Sequence, residues 1–575
     1  MKGFALIAAG AALAGCSPAG GTTWHVDYRN GSDQADGRSP ATAWKHAPGD
    51  RAATARPAGA SLQPGDKVLF RAGVPYRGTI VLPASGTAQK PITYSGLGWD
   101  KGMGIIDGSD PVTTARPCQS SADCGGAQNW QGLTRVEYAK PQTARIVLYG
   151  AKGLYWLSQL PDLPDPFFSD NRHSFATISR SQLSSMRSGS FTSPQLAKAA
   201  KAGGRMELAF WVRPNLVQRR PLLRVEGDRL FFDPTDLDFY DNRDGAVALN
   251  GSFEGLQSPG RYVVVAEGVL VARLLPGDTA ASLSIGSGRM GFNLNGQSDV
   301  VISGLHFRNM TGSRAGQREG RAVTSLGANA RNIEVSGNLF GPALLENGSG
   351  IVHLQGSEGF RFIANRVENI AFGGGFRASG GSPRNITVAG NVIRRTGRTA
   401  IGVLGVQGAQ IKGNVLAEIK GVHGNGITAY LGNQDITIEG NCVVSSNRPL
   451  TYHGDKKGEM VNRIRIVRNI LISTPDGQAA INSWGGQTRD VLIESNLLVG
   501  PKHGLLMNRS ERQVVVRGND TSGIATRGDI PPDWTLADNR ENLSLASVAG
   551  GQFSEEGCAV PGSRIPPVVR FKPKG

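Results

Sequence analysis

The chain has 575 residues, 79 of them glycine, with 62 Lys and Arg against 46 Asp and Glu and aromatics at 7%. That length carries one large domain with appendages, and the glycine content suits a fold that turns a corner every few residues. The net charge of +16 narrows the partners to nucleic acid, anionic lipid or an acidic polymer.

The address decides among these. Met1-Lys2 is a short positive start, and Phe4 to Ala14 is an apolar stretch too short to cross a bilayer as a helix. It ends Leu13-Ala14-Gly15-Cys16, which resembles a bacterial lipobox. The resemblance implies that residues 1–15 are a lipoprotein signal peptide and that Cys16 is lipidated. With Ser17 following rather than Asp, it implies an outer-membrane lipoprotein in the cell envelope, held by its N-terminal lipid anchor. An ordinary secretory signal is the alternative. In both cases the chain is exported, which argues against nucleic acid as a partner. The mature chain keeps 61 basic against 46 acidic residues, a net +15. Residues 16–23 read as a linker.

From Trp24 the chain runs Trp24-His-Val-Asp-Tyr, then Asp36-Gly-Arg-Ser-Pro, Leu62-Gln-Pro-Gly-Asp-Lys-Val-Leu-Phe and Tyr76-Arg-Gly-Thr-Ile. Short strands split by Gly and Pro turns are expected at Val68-Leu-Phe, Thr79-Ile-Val-Leu and Ile92-Thr-Tyr. Residues 24–144 read as an N-terminal cap and first coils. Cys118 and Cys124, six apart in a polar loop, predict a local disulfide in an oxidising compartment. Residues 145–285 break the later period and read as a β-rich insert that can wall one side of a cleft. It contains one capped helix, with Ser193 at the N-cap and Pro194 at N1. The remaining cysteines are Cys442 and Cys558. Cys442 directly follows a repeated Asn and is expected to point into the interior, and a bridge to Cys558 is left open. Nothing in the cysteine spacing suggests zinc.

Residues 286–545 carry the organising pattern. Asn332-Ile-Glu-Val-Ser-Gly-Asn338, Asn385-Ile-Thr-Val-Ala-Gly-Asn391 and Asp435-Ile-Thr-Ile-Glu-Gly-Asn441 are three of eight matched segments. From Asn338 to Asn519 the spacings are 27, 26, 23, 27, 28, 27 and 23. Asp299 opens the series without its Asn, and Asn539 closes it. Each unit holds a period-2 strand ending in a Gly-Asn corner and has no room for a long helix. That leaves a parallel β-helix, in which stacked Asn residues form ladders. Residues 546–575 read as a C-terminal cap and an exposed basic tail.

The opening from Trp24 to about Asp110, with the repeats from about Arg289 to Asn539, resembles secreted proteins of the pectate-lyase-like superfamily. The resemblance implies an all-β, right-handed parallel β-helix (a solenoid) with a β-rich inserted subdomain, and a carbohydrate-directed function. Lyases, hydrolases and epimerases share that scaffold. Members of this superfamily often use Lys or Arg as base, sometimes with calcium; no dense Asp cluster for calcium is visible here, and no cofactor is expected.

Each coil has a second strand before the Asn strand. With its aliphatic residues inward, the outward set becomes His353, Arg377, Thr428, Tyr430, Thr451, His453, Asn482, Trp484 and Asn508. Lys456 follows in the next loop, and His423 precedes the Tyr430 strand. This set predicts a cleft for an anionic polysaccharide in a monomer, with Trp484 stacking on a sugar. β-Elimination on a uronate needs its carboxylate neutralised, a base for the C5 proton and an acid for O4. Arg377, Lys456 and Asn482 are candidates for the first role. His453 is the candidate base, because a free imidazole titrates near neutrality, and Tyr430 the candidate acid. His353, His423, Asn482, Trp484 and Asn508 are candidates for binding. A glycoside hydrolase needs two carboxylates about 5 to 10 Å apart, for which Asp455, Glu459, Glu346 and Asp476 are candidates. A non-catalytic polysaccharide-binding lipoprotein is the third reading.

Overall fold

The computed structural model describes residues 21–572 apart from 142–144, 166, 168–173, 214–215, 241, 313–319, 326–328, 346–349, 422, 455–460 and 485. Three parallel sheets of 13, 11 and 13 strands run its length. A typical coil gives one strand to each: Gln407–Lys412 to the first sheet, Val415–Ile419 to the second and Asn425–Tyr430 to the third. The chain is an all-β parallel β-helix. Its interior is one continuous core, from Val26 and Phe70 through Phe307 and Ile438 to Val516.

The corner between the first and second sheets explains the repeat. Asn414 Nδ2 donates to Asn441 Oδ1 at 2.9 Å and to the Val388 carbonyl at 2.9 Å. Its Oδ1 accepts from the backbone N–H of Asn391 at 3.0 Å and from Asn391 Nδ2 at 2.9 Å. The same pattern runs from Asn338 to Asn539. Each buried amide thus joins three coils, and Leu305, where the opening unit lacks its Asn, donates its N–H to Asn338. The residue before each ladder Asn is left-handed, as at Gly390 (φ +65°) and Gly413 (φ +59°). Glycine adopts that conformation without penalty. Ala364 and Arg468 also adopt it, at about 1 kcal/mol each.

The solenoid is interrupted between Gly104–Asp107 and Phe292–Asn293 by antiparallel sheets. These begin at Ser109–Pro111, which pairs with Ser284–Gly286 at the edge of a four-stranded sheet, so they start well before residue 145. Sequence alternation in Thr134–Glu137 resembles that of a coil strand, yet its partners are the antiparallel Val269–Arg273 and Thr114–Pro117. Ser193 caps the helix Pro194–Ala200, its hydroxyl accepting from the Leu196 N–H. The insert docks on the solenoid through Val147, Tyr149, Trp156 and Leu163 against Leu344, Ala371 and Phe372.

The C-terminal segment lies along the side of the solenoid. Gln552–Ser554, Gly557–Ala559 and Val568–Val569 form a small antiparallel sheet. Val548, Cys558, Ile565 and Val568 cover the outer face of the second sheet at Val415, Cys442, Val444, Ile470, Ile472, Leu497 and Val499. Cys442 therefore points outward rather than into the core, and it is bridged to Cys558; Cys118 and Cys124 form the other disulfide. The basic end is also held, since the Phe571 N–H donates to the Gly413 carbonyl and Lys412 lies over the Phe571 ring.

Candidate functional site

The third sheet carries the site because its pleat separates two sets of side chains. Phe376, Ile401, Ile427, Leu450, Ile481 and Leu505 point inward and are buried. One outward column stacks in register as Thr324, His353, Arg377, Gly402, Thr428, Thr451, Asn482 and Leu506. A second runs Ser379, Leu404, Tyr430 and His453. A cleft of about 670 Å³ opens over these columns. Glycines form part of its floor: at Gly374 a Cβ would stand 2.0 Å from the Thr399 carbonyl oxygen.

Two adjacent strands bring Tyr430 and His453 together. Their ring centroids are 4.8 Å apart with planes 16° from parallel. His453 Nδ1 lies 2.9 Å from the Gly454 carbonyl, so Nδ1 carries the proton and Nε2 is the basic nitrogen of that tautomer. Arg377, His423, Thr428, Thr451 and Trp484 also line the cleft. Burial, reinforced by Arg398, Arg448, Arg377 and His453, holds the His423 pKa down at about 3, so its imidazole acts as a neutral hydrogen-bonding group.

Other members of the expected set stand elsewhere. His353 is buried, with Nε2 2.9 Å from Ser379 Oγ, and burial followed by the charges of Arg321 and Arg377 lowers its pKa to about 2. Asn482 stacks beside Thr451 but is fully buried, and its Nδ2 donates to the Ala479 carbonyl. Asn508 ends its strand, and its Oδ1 accepts the Ser510 N–H in a turn. None of the three lines the cleft. Trp484 is 38% exposed, but its ring already carries Arg448 at 4.8 Å and Arg527 at 5.2 Å. Asp476 is an exposed turn residue. Lys456, Asp455, Glu459, Glu346 and Cys16 lie outside the described residues.

The arginines and the phenol of the lining that escaped the sequence reading are Arg243, Arg398, Arg448 and Tyr240. Tyr240 and Arg243 come from the insert, which forms part of the cleft wall. Arg448 opens the strand Arg448–His453 and sits beside Asn425 in register. Burial alone lowers its pKa to about 10, and it forms no salt bridge with a described carboxylate. The sequence signal is an Arg at a strand start just before Pro449. The described lining carries four guanidiniums, two imidazoles and two phenols, and no carboxylate. Among the described residues no group of three His, Cys, Asp or Glu side chains is placed to hold a metal ion.

The fold and this site define a parallel β-helix protein with a cationic cleft on its third sheet. No protein-family model matches the chain, and no curated protein sequence matches it. Among solved structures it is similar to a glycoside hydrolase at 11% identity, with a TM-score of 0.54 over 91% of this chain and 97% of that one. It is also similar to the xylose complex of XylC at 9% identity (TM-score 0.43, 91% and 86% covered). A GH136 lacto-N-biosidase from Eubacterium ramulus follows at 10% identity (TM-score 0.38, 91% and 67% covered). At these identities the likeness is one of fold.

Proposed function

We propose that the chain is an exported carbohydrate-active enzyme that binds an acidic, uronate-containing polysaccharide and cleaves it by β-elimination. The observation that carries this reading is the cleft lining, rich in cations and without a described carboxylate. Such a lining attracts a polyanion and suits neutralisation of a uronate carboxylate, which acidifies the C5 proton. Arg377 and Arg398, with Lys456 three residues after His453 in the sequence, take that role. His453 removes the C5 proton through Nε2, and Tyr430 donates its phenolic proton to the departing O4. Trp484 orients Arg448 by a cation–π contact. The lipid anchor at Cys16 would keep the enzyme in the outer membrane.

The test is incubation of the purified protein with a panel of uronate polymers, read at the ultraviolet absorbance of the unsaturated product. His453→Ala should lower turnover by at least about three orders of magnitude with the fold intact. Near-normal turnover in that variant would remove His453 from the mechanism. New reducing ends without unsaturation, lost on replacing Asp455 and Glu459, would establish glycoside hydrolysis instead, as in the hydrolase of similar fold. Binding with no cleavage of either kind would leave a polysaccharide-binding protein.

A further inference from the structure

A β-elimination can be syn or anti, and the placement of Tyr430 and His453 discriminates between them. In an anti elimination the base and the acid approach opposite faces of the sugar ring, so the sugar lies between them. The Tyr430 and His453 rings stand 4.8 Å apart and almost parallel. That is close to van der Waals contact, about 3.5–4.0 Å between carbon atoms, and a sugar between them would need roughly twice this gap. Both side chains also project outward from the same sheet, on paired strands with Tyr430 opposite His453. They therefore meet one face of a bound sugar, with the base and the acid side by side.

Resting on the reading of the site as a uronate lyase, we infer that the reaction is a syn elimination, and that the sugar it cleaves carries its C5 hydrogen and its O4 on one ring face. That relation holds in gluco- and manno-configured uronates. In galacturonate, and in the C5 epimers guluronate and iduronate, the two groups lie on opposite faces. The step balances without a co-reactant. His453 Nε2 takes the C5 proton, the electron pair forms the C4–C5 double bond, the C4–O4 bond breaks, and O4 leaves with the Tyr430 proton. Solvent then returns a proton to Tyr430 and accepts one from His453. The products are one chain with a C4–C5 unsaturated non-reducing end and one with a new reducing end, whose anomeric hydroxyl is the former O4.

The lining of the same cleft also includes the insert residues Tyr240 and Arg243. An acid reaching the other face of the sugar would serve the anti course, so the substrate's configuration reports which face receives the proton.

Polymannuronate and polyguluronate provide the test, because they share linkage and composition and differ only at C5. The full chain is incubated with each, alongside a glucuronan and a galacturonan, and unsaturated product is followed by absorbance. The expected result is a kcat/KM on polymannuronate or glucuronan at least about 100-fold above that on polyguluronate and galacturonan. Tyr430→Phe should abolish most of that turnover, with the thermal midpoint unchanged as the check on folding. A preference for polyguluronate or galacturonan, or equal rates on all four, overturns the syn assignment and leaves the lyase reading standing. No unsaturated product from any of the four overturns the lyase reading itself.

Discussion

Arg448 and Glu511 show how much a single buried ionisable group reveals. Arg448 is held largely out of water with no described carboxylate beside it, an arrangement that costs stability unless a ligand offsets it. Arg448→Met keeps the apolar stem and removes the charge. The thermal midpoint should stay the same or rise, while KM for a uronate polymer rises at least about tenfold. A fall in thermal midpoint with unchanged KM would make Arg448 a structural support for Trp484. Glu511 is the opposite case, a carboxyl inside the last coils that accepts the Tyr452 hydroxyl at 2.7 Å. Burial raises its pKa above the usual carboxylate range. The folded chain therefore holds this proton at a pH where the unfolded chain has released it. The stabilising contribution is complete below the unfolded value and is lost as pH rises through the folded one. Glu511→Gln should match the parent at acid pH and exceed it near neutrality by about 1–2 kcal/mol in denaturant titrations. Equal stability curves at both pH values would show Glu511 to be ionised without penalty.

Among the elements, the Asn corner and the C-terminal segment do most to hold the coils together. Asn414→Ala removes four hydrogen bonds, taking a partner from the Val388 carbonyl, the Asn391 backbone N–H and Asn441 Oδ1 in the interior, while Asn391 Nδ2 keeps the Phe362 carbonyl. Each orphaned group costs about 1–3 kcal/mol, so the loss should be about 3–5 kcal/mol, with solvent access at the site setting the lower figure. A loss below about 1 kcal/mol would mean that water replaces the amide. The C-terminal segment works differently, because it covers an apolar face and is tied by a bridge with a sequence separation of 116 residues. A cross-link closing so long a loop contributes about 3–5 kcal/mol in the chain-entropy view. Replacing Cys442 and Cys558 with Ser should lower the denaturant midpoint accordingly and increase binding of an apolar dye to the second sheet.

At the scale of the whole molecule, charge is the property that links fold to partner. The chain carries a net +16, and four arginines line one cleft. Capture of a polyanion by such a field weakens as ions screen it, with a Debye length of about 10 Å at 0.1 M and about 3 Å at 1 M. Raising salt from about 0.05 M to about 0.5 M should raise KM for a uronate polymer several-fold and change kcat little. Indifference of KM to salt would remove electrostatic capture from the account. The insert belongs to this scale too, since Tyr240 and Arg243 line the cleft from a subdomain that leaves the solenoid after Asp107 and rejoins it at Phe292.

Sequence alone determined the coil, because each turn repeats one local demand: a period-2 strand, a left-handed corner and an Asn whose amide needs the Asn of the next turn. Those requirements recur within 23 to 28 residues, so they are visible as spacing. The neighbouring positions of Tyr430 and His453 followed for the same reason, one turn apart on one face. Only the tertiary structure decided what else lines the cleft and what lies on the second sheet. Arg243 and Tyr240 come from an insert with no period, and contacts between distant segments leave no local pattern. The runs Cys442-Val-Val, Ile470-Leu-Ile and Leu497-Leu-Val were apolar on both faces, a sign that something covers the outer one. Its identity waited on the fold, because an apolar face specifies burial without specifying a partner.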